Sequence, residues 1–193
     1  MKPLSKEFYE QKTLVLAESL LGKLLVKETN EGTTAGRIVE TEAYRGPMDQ
    51  AAHSFQNKRT KRTEVMFGPS GYAYTYVMHT HCLFNVVSAE EGFPEAVLVR
   101  AVEPYAGREL MFERRGKHHK ESNLTSGPGK LTKAMGISME DYGSSLNSGK
   151  LFIADGPKPQ AVSTGPRVGI PNSGDAKAYP WRFWERSNRF VSK

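Results

Sequence analysis

The stretch that decides the fold is RIVETEAY, residues 37–44, in which side chains of opposite polarity alternate. Successive side chains of a β-strand point to opposite faces, so residues two apart share a face. The pattern predicts a strand over residues 34–43. One face is predicted to carry Glu40, Glu42 and Tyr44, and the other Val39, Thr41 and Ala43. Two acids and a tyrosine on one face indicate either a polar pocket or a solvated strand surface.

Periodicity and turn residues predict the other elements. A helix is expected over residues 13–21, capped by Thr13 and ended by Gly22. Pro104 and Pro128 are expected to open two further helices, which end near Phe112 and at Gly136. The remaining strands are predicted over residues 24–27, 72–78, 83–87, 96–102 and 181–184, with a turn at residues 30–32. The sum is an α+β fold of one domain, residues 1–193, with a mostly antiparallel sheet.

The chain is basic. Its 27 Lys and Arg residues exceed its 21 Asp and Glu residues, which gives a net charge of +6. This charge suits an anionic partner such as nucleic acid, but it equally fits a basic soluble enzyme.

The single cysteine, Cys82, excludes an internal disulfide and a cysteine-based zinc cluster. His79 and His81 lack the spaced partners that would complete a metal site, so we expect no metal. The N-terminus has no apolar core of signal-peptide length, and no segment approaches the length of a membrane span. We therefore expect a soluble protein inside the cell.

Aromatic residues recur at every second position in residues 72–78. Tyr72, Tyr74, Tyr76 and Met78 are expected on one strand face. Aromatic faces can stack on nucleobases, but the same ladder can equally pack in a core.

Basic side chains occur in two polar loops and in one apolar strand. Residues 58–62 and 114–120 could contact phosphates or form exposed, flexible loops. Arg100 interrupts an otherwise apolar strand, and an unpaired buried charge is costly. It must therefore emerge from the sheet or pair with a phosphate or a carboxylate.

The sequence strongly resembles the alkyladenine (3-methyladenine) DNA glycosylases of the mammalian and bacterial type. The longest shared motif is RIVETEAYRGPMDQAAHS, residues 37–54. Shorter motifs follow in order: MFGP at 66–69, FNVV at 84–87, VLVRAVEP at 97–104, SGPGKL at 126–131 and RVG at 167–169. The resemblance covers essentially the whole chain.

This resemblance implies a curved antiparallel sheet with flanking helices and a protruding β-hairpin that enters the DNA minor groove. Glu42 then looks like the general base that activates water. Tyr44, His53 and Tyr76 look like walls of the pocket for the flipped base, and Asn85 like the residue that limits entry of bases with a 2-amino group. Arg100 resembles an arginine at the DNA backbone.

The sequence departs from the family pattern at the end of the hairpin, which is one residue shorter. Met78 or His79 then takes the place of the tyrosine that inserts into the gap left by the flipped base. Both are expected to contact DNA, together with Tyr74 and with Lys130 of the SGPGKL motif.

The resemblance implies a monofunctional DNA glycosylase that removes damaged purines from double-stranded DNA without a cofactor. A monomer in the cytoplasm, associated with the nucleoid, is expected. A non-catalytic nucleic-acid-binding module and a nucleoside hydrolase are the alternatives. The enzymatic interpretation expects Glu42 at the mouth of a base-sized slot, free of a buried cation.

Overall fold

The computed structural model describes residues 1–192, so Lys193, the last residue of the predicted domain, lies outside the described residues. The strands are β1 (Leu24–Thr29), β2 (Gly32–Tyr44), β3 (Ala73–Met78), β4 (His81–Ser88), β5 (Glu95–Ala106), β6 (Leu151–Ala154), β7 (Val162–Gly165) and β8 (Arg182–Glu185). The α-helices are α1 (Lys6–Tyr9), α2 (Thr13–Ser19), α3 (Arg108–Arg115) and α4 (Pro128–Met135). Short 3-10 helices lie at Gly46–Met48, Phe55–Asn57, Glu64–Phe67, Glu121–Asn123, Met139–Asp141 and Gly174–Ala178.

The strands form one curved, antiparallel sheet, which confirms the predicted α+β fold. Strand β2 is its centre. Along one edge β2 pairs with β5, and along the other it pairs first with β1 and then, from Glu40 to Glu42, with β8. Strands β3 and β4 form a hairpin that joins the sheet through β5. The RIVETEAY segment therefore lies in the middle of the sheet, where strands from distant parts of the chain meet.

A β-bulge in β2 changes the predicted strand faces. The register between β2 and β5 shifts on both sides of Glu40, and a bulge turns two successive residues toward the same side. Val39 therefore packs against Phe190 in the C-terminal segment. The predicted strict alternation of strand faces was wrong at Val39. Thr41 keeps its predicted face, because its hydroxyl donates a hydrogen bond to the Ala17 carbonyl of α2.

The helix predicted to open at Pro104 was also wrong. Strand β5 continues through Pro104, which pairs with Gly36 at a register shift, a position that tolerates a residue without an N–H group. The helix begins only at Arg108, after Gly107 turns the chain with a φ of +70°. A side chain at Gly107 would come within 2.2 Å of the Thr33 carbonyl oxygen, so the turn requires glycine.

The helices cover one face of the sheet and bury its main core. Helix α4 begins at Pro128 and ends at Gly136 as predicted, and it buries Leu131. Helix α2 ends at Ser19, and its cap is Lys12, so Thr13 is its first residue rather than its cap. The Thr13 hydroxyl is instead hydrogen-bonded to Ser88. Within residues 1–192 no helix is both long and apolar enough to cross a membrane.

Candidate active site

The carboxylate of Glu42 is held by three groups from separate parts of the chain. The Val168 backbone N–H donates a hydrogen bond to Oε1 at 2.7 Å. The Tyr44 hydroxyl donates to Oε2 at 2.8 Å, and Arg100 Nη1 lies 3.3 Å from the same oxygen. The hydrogen bond between Tyr44 and Glu42 follows from the β2 backbone, because the two residues are two apart and share one strand face.

Glu42 does not lie at the mouth of an open slot free of a buried cation, so this expectation was wrong. Its residue surface is 0% exposed, and Arg100 is a buried cation beside it. Glu42 is enclosed because β2, β5 and residue 168 each place a polar group against its carboxylate. The Tyr44 phenol thereby covers the acid instead of leaving it at the surface.

Glu40 lies beside Glu42 and accepts four hydrogen bonds. Arg182 Nε donates to it at 2.7 Å and Arg100 Nε at 3.2 Å. The backbone N–H and the hydroxyl of Ser192 add bonds of 2.7 and 2.8 Å. Glu40 and Glu42 therefore face Arg100 and Arg182 in a buried cluster of balanced charge, and the partner of Arg100 in this structure is a carboxylate pair.

Burial raises the pKa of Glu42, because the charged form loses its hydration. Arg100, the Val168 N–H and the Tyr44 hydroxyl act in the opposite direction, while the negative charge of Glu40 raises the pKa further. Burial and the adjacent Glu42 charge also raise the pKa of Tyr44 well above its usual value, so Tyr44 stays a hydroxyl donor.

Three predicted residues form an aromatic group next to this acid. The ring centroid of His53 lies 4.6 Å from that of Tyr76, with the planes nearly perpendicular. Burial and the charge of Glu42 raise the pKa of Tyr76 to about 12. The structure thus brings Tyr44 and Tyr76 next to Glu42, and His53 packs against Tyr76.

Tyr74 was predicted to contact DNA, but in this structure it is a buried, packed residue. Its surface is 2% exposed, because the ring packs among Met66, Tyr142 and other residues of a separate core cluster. Its hydroxyl lies 2.7 Å from His53 Nδ1, and its carbonyl accepts a hydrogen bond of 2.9 Å from Asn85 Nδ2. Tyr74 thereby fixes both His53 and Asn85, whose role at the base remains a prediction.

Arg62 extends from the polar loop to the aromatic group. Its guanidinium carbon lies 5.7 Å from the Tyr76 ring centroid. Burial, together with the positive charge of Arg62, lowers the pKa of His53. His53 is consequently kept neutral over a wider pH range than an exposed histidine.

The β3–β4 hairpin ends in an exposed, tightly turned tip. Met78 pairs with His81, and His79 and Thr80 between them have φ angles of +47° and +72°. A β-branched residue seldom adopts such a backbone, and conformations of this kind concentrate at functional sites. Met78 is 44% exposed, on the strand face that also carries Tyr76.

Helix α4 begins beside this hairpin tip. A side chain at Gly129 would come within 2.7 Å of His81 Cβ, so glycine permits the close approach. Lys130 follows Gly129, and its ammonium group donates a hydrogen bond to Asn123. The first turn of α4, which carries Lys130, therefore lies next to the hairpin tip that carries Met78 and His79.

The sequence reasoning missed several residues that hold the site. Asp49 and Arg167 form a buried ion pair next to Tyr44, and Val168, Arg182 and Ser192 bind the two acids. Asp49, Arg167 and Val168 lie within shared motifs, which was the available signal, whereas no pattern singled out Arg182 or Ser192.

Comparison with known proteins gives a consistent result. The family model described as methylpurine-DNA glycosylase matches residues 7–189. Relatives in Bacillus subtilis and Oceanobacillus iheyensis, which carry the provisional name 3-methyladenine DNA glycosylase, are 60% and 56% identical over 192 residues each. These alignments cover 99% and 100% of this chain, and 97% and 96% of the relatives. A Listeria monocytogenes protein of the same provisional name is 47% identical over 98% of this chain and 92% of its own length.

Proposed function

The chain belongs to the methylpurine-DNA glycosylase family, and on that premise we propose that Glu42 activates the water that cleaves its substrate. DNA glycosylases are hydrolases that act on N-glycosyl bonds in DNA repair. The proposed substrates are damaged purines flipped out of double-stranded DNA, of the 3-methyladenine, 7-methylguanine, ethenoadenine and hypoxanthine class. The product is an abasic site.

The observation that carries this mechanism is the hydrogen bonding of Glu42. An ionised carboxylate has about four acceptor positions. Val168 uses one on Oε1 and Tyr44 one on Oε2, while Arg100 Nη1 forms an ion pair with Oε2 at 3.3 Å. The remaining position on Oε1 can accept a hydrogen bond from water. Because the acid is enclosed, this water must enter before the flipped nucleotide or together with it.

The buried cation supports the role of Glu42 as a base. A general base must be ionised, and burial alone works against the charged form. Arg100 favours ionisation, and it divides its charge between Glu40 and Glu42. Arg100 therefore opposes the effect of burial on Glu42 without serving that acid alone.

The aromatic group supports a flat, positively charged substrate. The face of a tyrosine ring attracts a cationic base more strongly than it attracts a neutral base. A purine alkylated at N3 or N7 is cationic. Such a base also leaves without much help from an acid, so one carboxylate suffices. The paired acids of ordinary glycosidases are not required, which agrees with the engagement of Glu40 by arginines.

The surface around the hairpin supports a duplex DNA partner. Extrusion of a nucleotide costs a few kcal/mol, and an inserted apolar side chain can fill the gap. Exposed Met78 or His79 at the hairpin tip is proposed for that role, and Lys130 for contact with the DNA backbone. Arg100, which was also expected at the backbone, is instead buried against Glu40 and Glu42. One chain supplies all these side chains, which supports a monomer. Its place of action is the DNA itself, in the bacterial cytoplasm and nucleoid.

The test is a single-turnover assay on duplexes that contain one ethenoadenine, hypoxanthine or 7-methylguanine. We expect the wild-type protein to release the base, and Glu42→Gln to bind the same duplex but release none. Glu103→Gln is the control, because Glu103 pairs with Arg37 outside the buried cluster that contains Glu40 and Glu42. Release by Glu42→Gln at the wild-type rate would remove the mechanism. Binding by the wild-type protein without release of any lesion would favour a non-catalytic module.

A further inference from the structure

Asp49 and Arg167 form a completely buried, two-pronged ion pair at the end of β2. Arg167 Nη1 lies 2.5 Å from Asp49 Oδ2, and Nη2 lies 2.8 Å from Oδ1. Both side chains are 0% exposed. Asp49 also accepts hydrogen bonds from the backbone N–H groups of Arg45 and Ala51, so it fixes the chain as it leaves the strand.

Arg167 connects this pair to both parts of the site. Its guanidinium carbon lies 4.6 Å from the Tyr44 ring centroid, and Nη1 donates a hydrogen bond of 2.9 Å to the carbonyl of Ala43, the residue before Tyr44. Arg167 also directly precedes Val168, whose N–H binds Glu42. One side chain therefore determines where a pocket ring and a backbone donor lie.

Stability alone gives little reason for such a pair. Two charges lose their hydration on burial, and apolar replacements of buried ion pairs are often neutral or stabilising. Arg167 Nε is also buried without a hydrogen-bond acceptor among the described residues, which adds a cost. The Asp49–Arg167 pair is therefore better explained by a requirement for exact geometry around Tyr44 and Val168 than by packing.

We propose that Asp49 and Arg167 are positioning residues that hold the Tyr44 ring and the Val168 N–H group against Glu42. The inference rests on the proposed function, because it takes Glu42 as the base and Tyr44 as a pocket wall. Arg167 touches neither the water nor the substrate, and acts through these two residues. A lysine at position 167 keeps the charge but loses the planar fork that binds Asp49 at two points.

Loss of the pair has a specific consequence for Glu42. The Val168 N–H group stabilises the charged carboxylate, so its displacement makes Glu42 easier to protonate. Displacement of the Tyr44 hydroxyl, the second donor that the pair holds, acts in the same direction. The other titratable or charged groups near Glu42 remain in place: Glu40 on β2, Tyr76 on β3, Arg100 on β5 and, through Glu40, Arg182 on β8. The acidic limb of the pH–rate profile should therefore move to higher pH.

The experiment compares Asp49→Asn and Arg167→Lys with the wild-type protein in single-turnover assays across pH. We expect both variants to lose roughly tenfold in rate on the acidic side, the size of a lost hydrogen bond to a charged group, with less loss at alkaline pH. Arg37→Lys is the control, since Arg37 forms a largely buried cluster with Glu103 and Glu185 away from Glu42. A uniform loss at every pH in both variants would overturn the proposal.

A second measurement does not depend on activity. Carbon-13 NMR of labelled glutamate carboxyl groups, with Glu42→Gln for assignment, follows the titration of Glu42 directly. We expect its midpoint to rise in Asp49→Asn and Arg167→Lys and to stay unchanged in Arg37→Lys. If the wild-type protein releases no base, the proposed function fails while this titration still tests the pair. An unchanged midpoint in both variants overturns the positioning role, whatever the activity.

Discussion

The carboxylates of Glu40 and Glu42 share one guanidinium, that of Arg100, at 3.2 Å and 3.3 Å. The two acids differ in their other partners. Glu40 also binds Arg182 and Ser192, whereas Glu42 faces Tyr44 and the Val168 N–H group. The same strand face thus carries one acid fixed by arginines and one acid whose Oε1 accepts a single hydrogen bond.

Replacement of Glu40 should change the acidity of Glu42. The negative charge of Glu40 raises the pKa of Glu42, and Glu40 draws the charge of Arg100 away from it. In Glu40→Gln the pKa of Glu42 should therefore fall, and the acidic limb of the pH–rate profile should move to lower pH. We expect roughly a three- to tenfold gain on the acidic side relative to the alkaline plateau, measured in single-turnover assays.

The control for Glu40 is Glu103→Gln, which removes a carboxylate of the neighbouring strand that binds Arg37. That variant should keep the wild-type profile. A limb that moves to higher pH in Glu40→Gln, or does not move, would contradict the shared-charge argument. Thermal unfolding of both variants separates a change in rate from a loss of folded protein.

The sheet was largely predictable because alternation and turn residues are local signals. Strands β2 to β5 were found within a few residues of their ends, except that β5 extends past Pro104. Proline opens helices and also tolerates bulges, and only the pairing with Gly36 decides between these uses. The bulge at Glu40, which turned Val39 toward Phe190, likewise depends on the neighbouring strand.

The site was predictable where its residues are close in sequence. Glu42 and Tyr44 share a strand face by spacing, and the motif that ends at Ser54 includes His53. The donors that complete the site are far away, since Val168 lies 126 residues from Glu42 and Ser192 lies 152 residues from Glu40. Periodicity contains no information on such contacts, so the enclosure of Glu42 could not be foreseen.

Arg62 should control the protonation of His53. Burial and the Arg62 cation lower the pKa of His53, so Arg62→Gln should raise it. His53 then becomes protonated at higher pH and repels a cationic base, with a loss of roughly two- to fivefold in rate on 7-methylguanine near pH 6. Proton NMR of the His53 ring measures the titration midpoint directly.

Arg59→Gln is the matched control, because Arg59 lies in the same loop but pairs with Glu64. It should leave the His53 titration unchanged. Equal midpoints in Arg62→Gln and the wild-type protein would show that the Arg62 charge does not reach His53.

Lys130 should contribute to DNA affinity through one phosphate. It lies in the first turn of helix α4, beside the hairpin tip, and burial together with the Arg115 cation lowers its pKa, as expected where positive charges gather. Lys130→Ala should weaken binding severalfold and reduce the slope of log affinity against log salt by about one. Lys133→Ala, an exposed lysine on the same helix, is the control. An unchanged slope in Lys130→Ala would remove this residue from the DNA interface.

Met78 should be the residue that fills the gap left by the flipped nucleotide. Residues two apart on β3 share a face, so Met78 continues the row of Tyr74 and Tyr76, and it is the exposed member nearest the tip. Met78→Ala removes an apolar wedge whose insertion offsets unstacking, so the flipped population should fall. We expect roughly a tenfold loss in single-turnover rate on ethenoadenine, with a matching rise in the quenching of its fluorescence by stacking. Val77→Ala is a close control, because Val77 is 49% exposed on the opposite strand face. Equal losses in the two variants would indicate a general effect on the hairpin, and a loss in His79→Ala alone would assign the wedge to the residue at the turn.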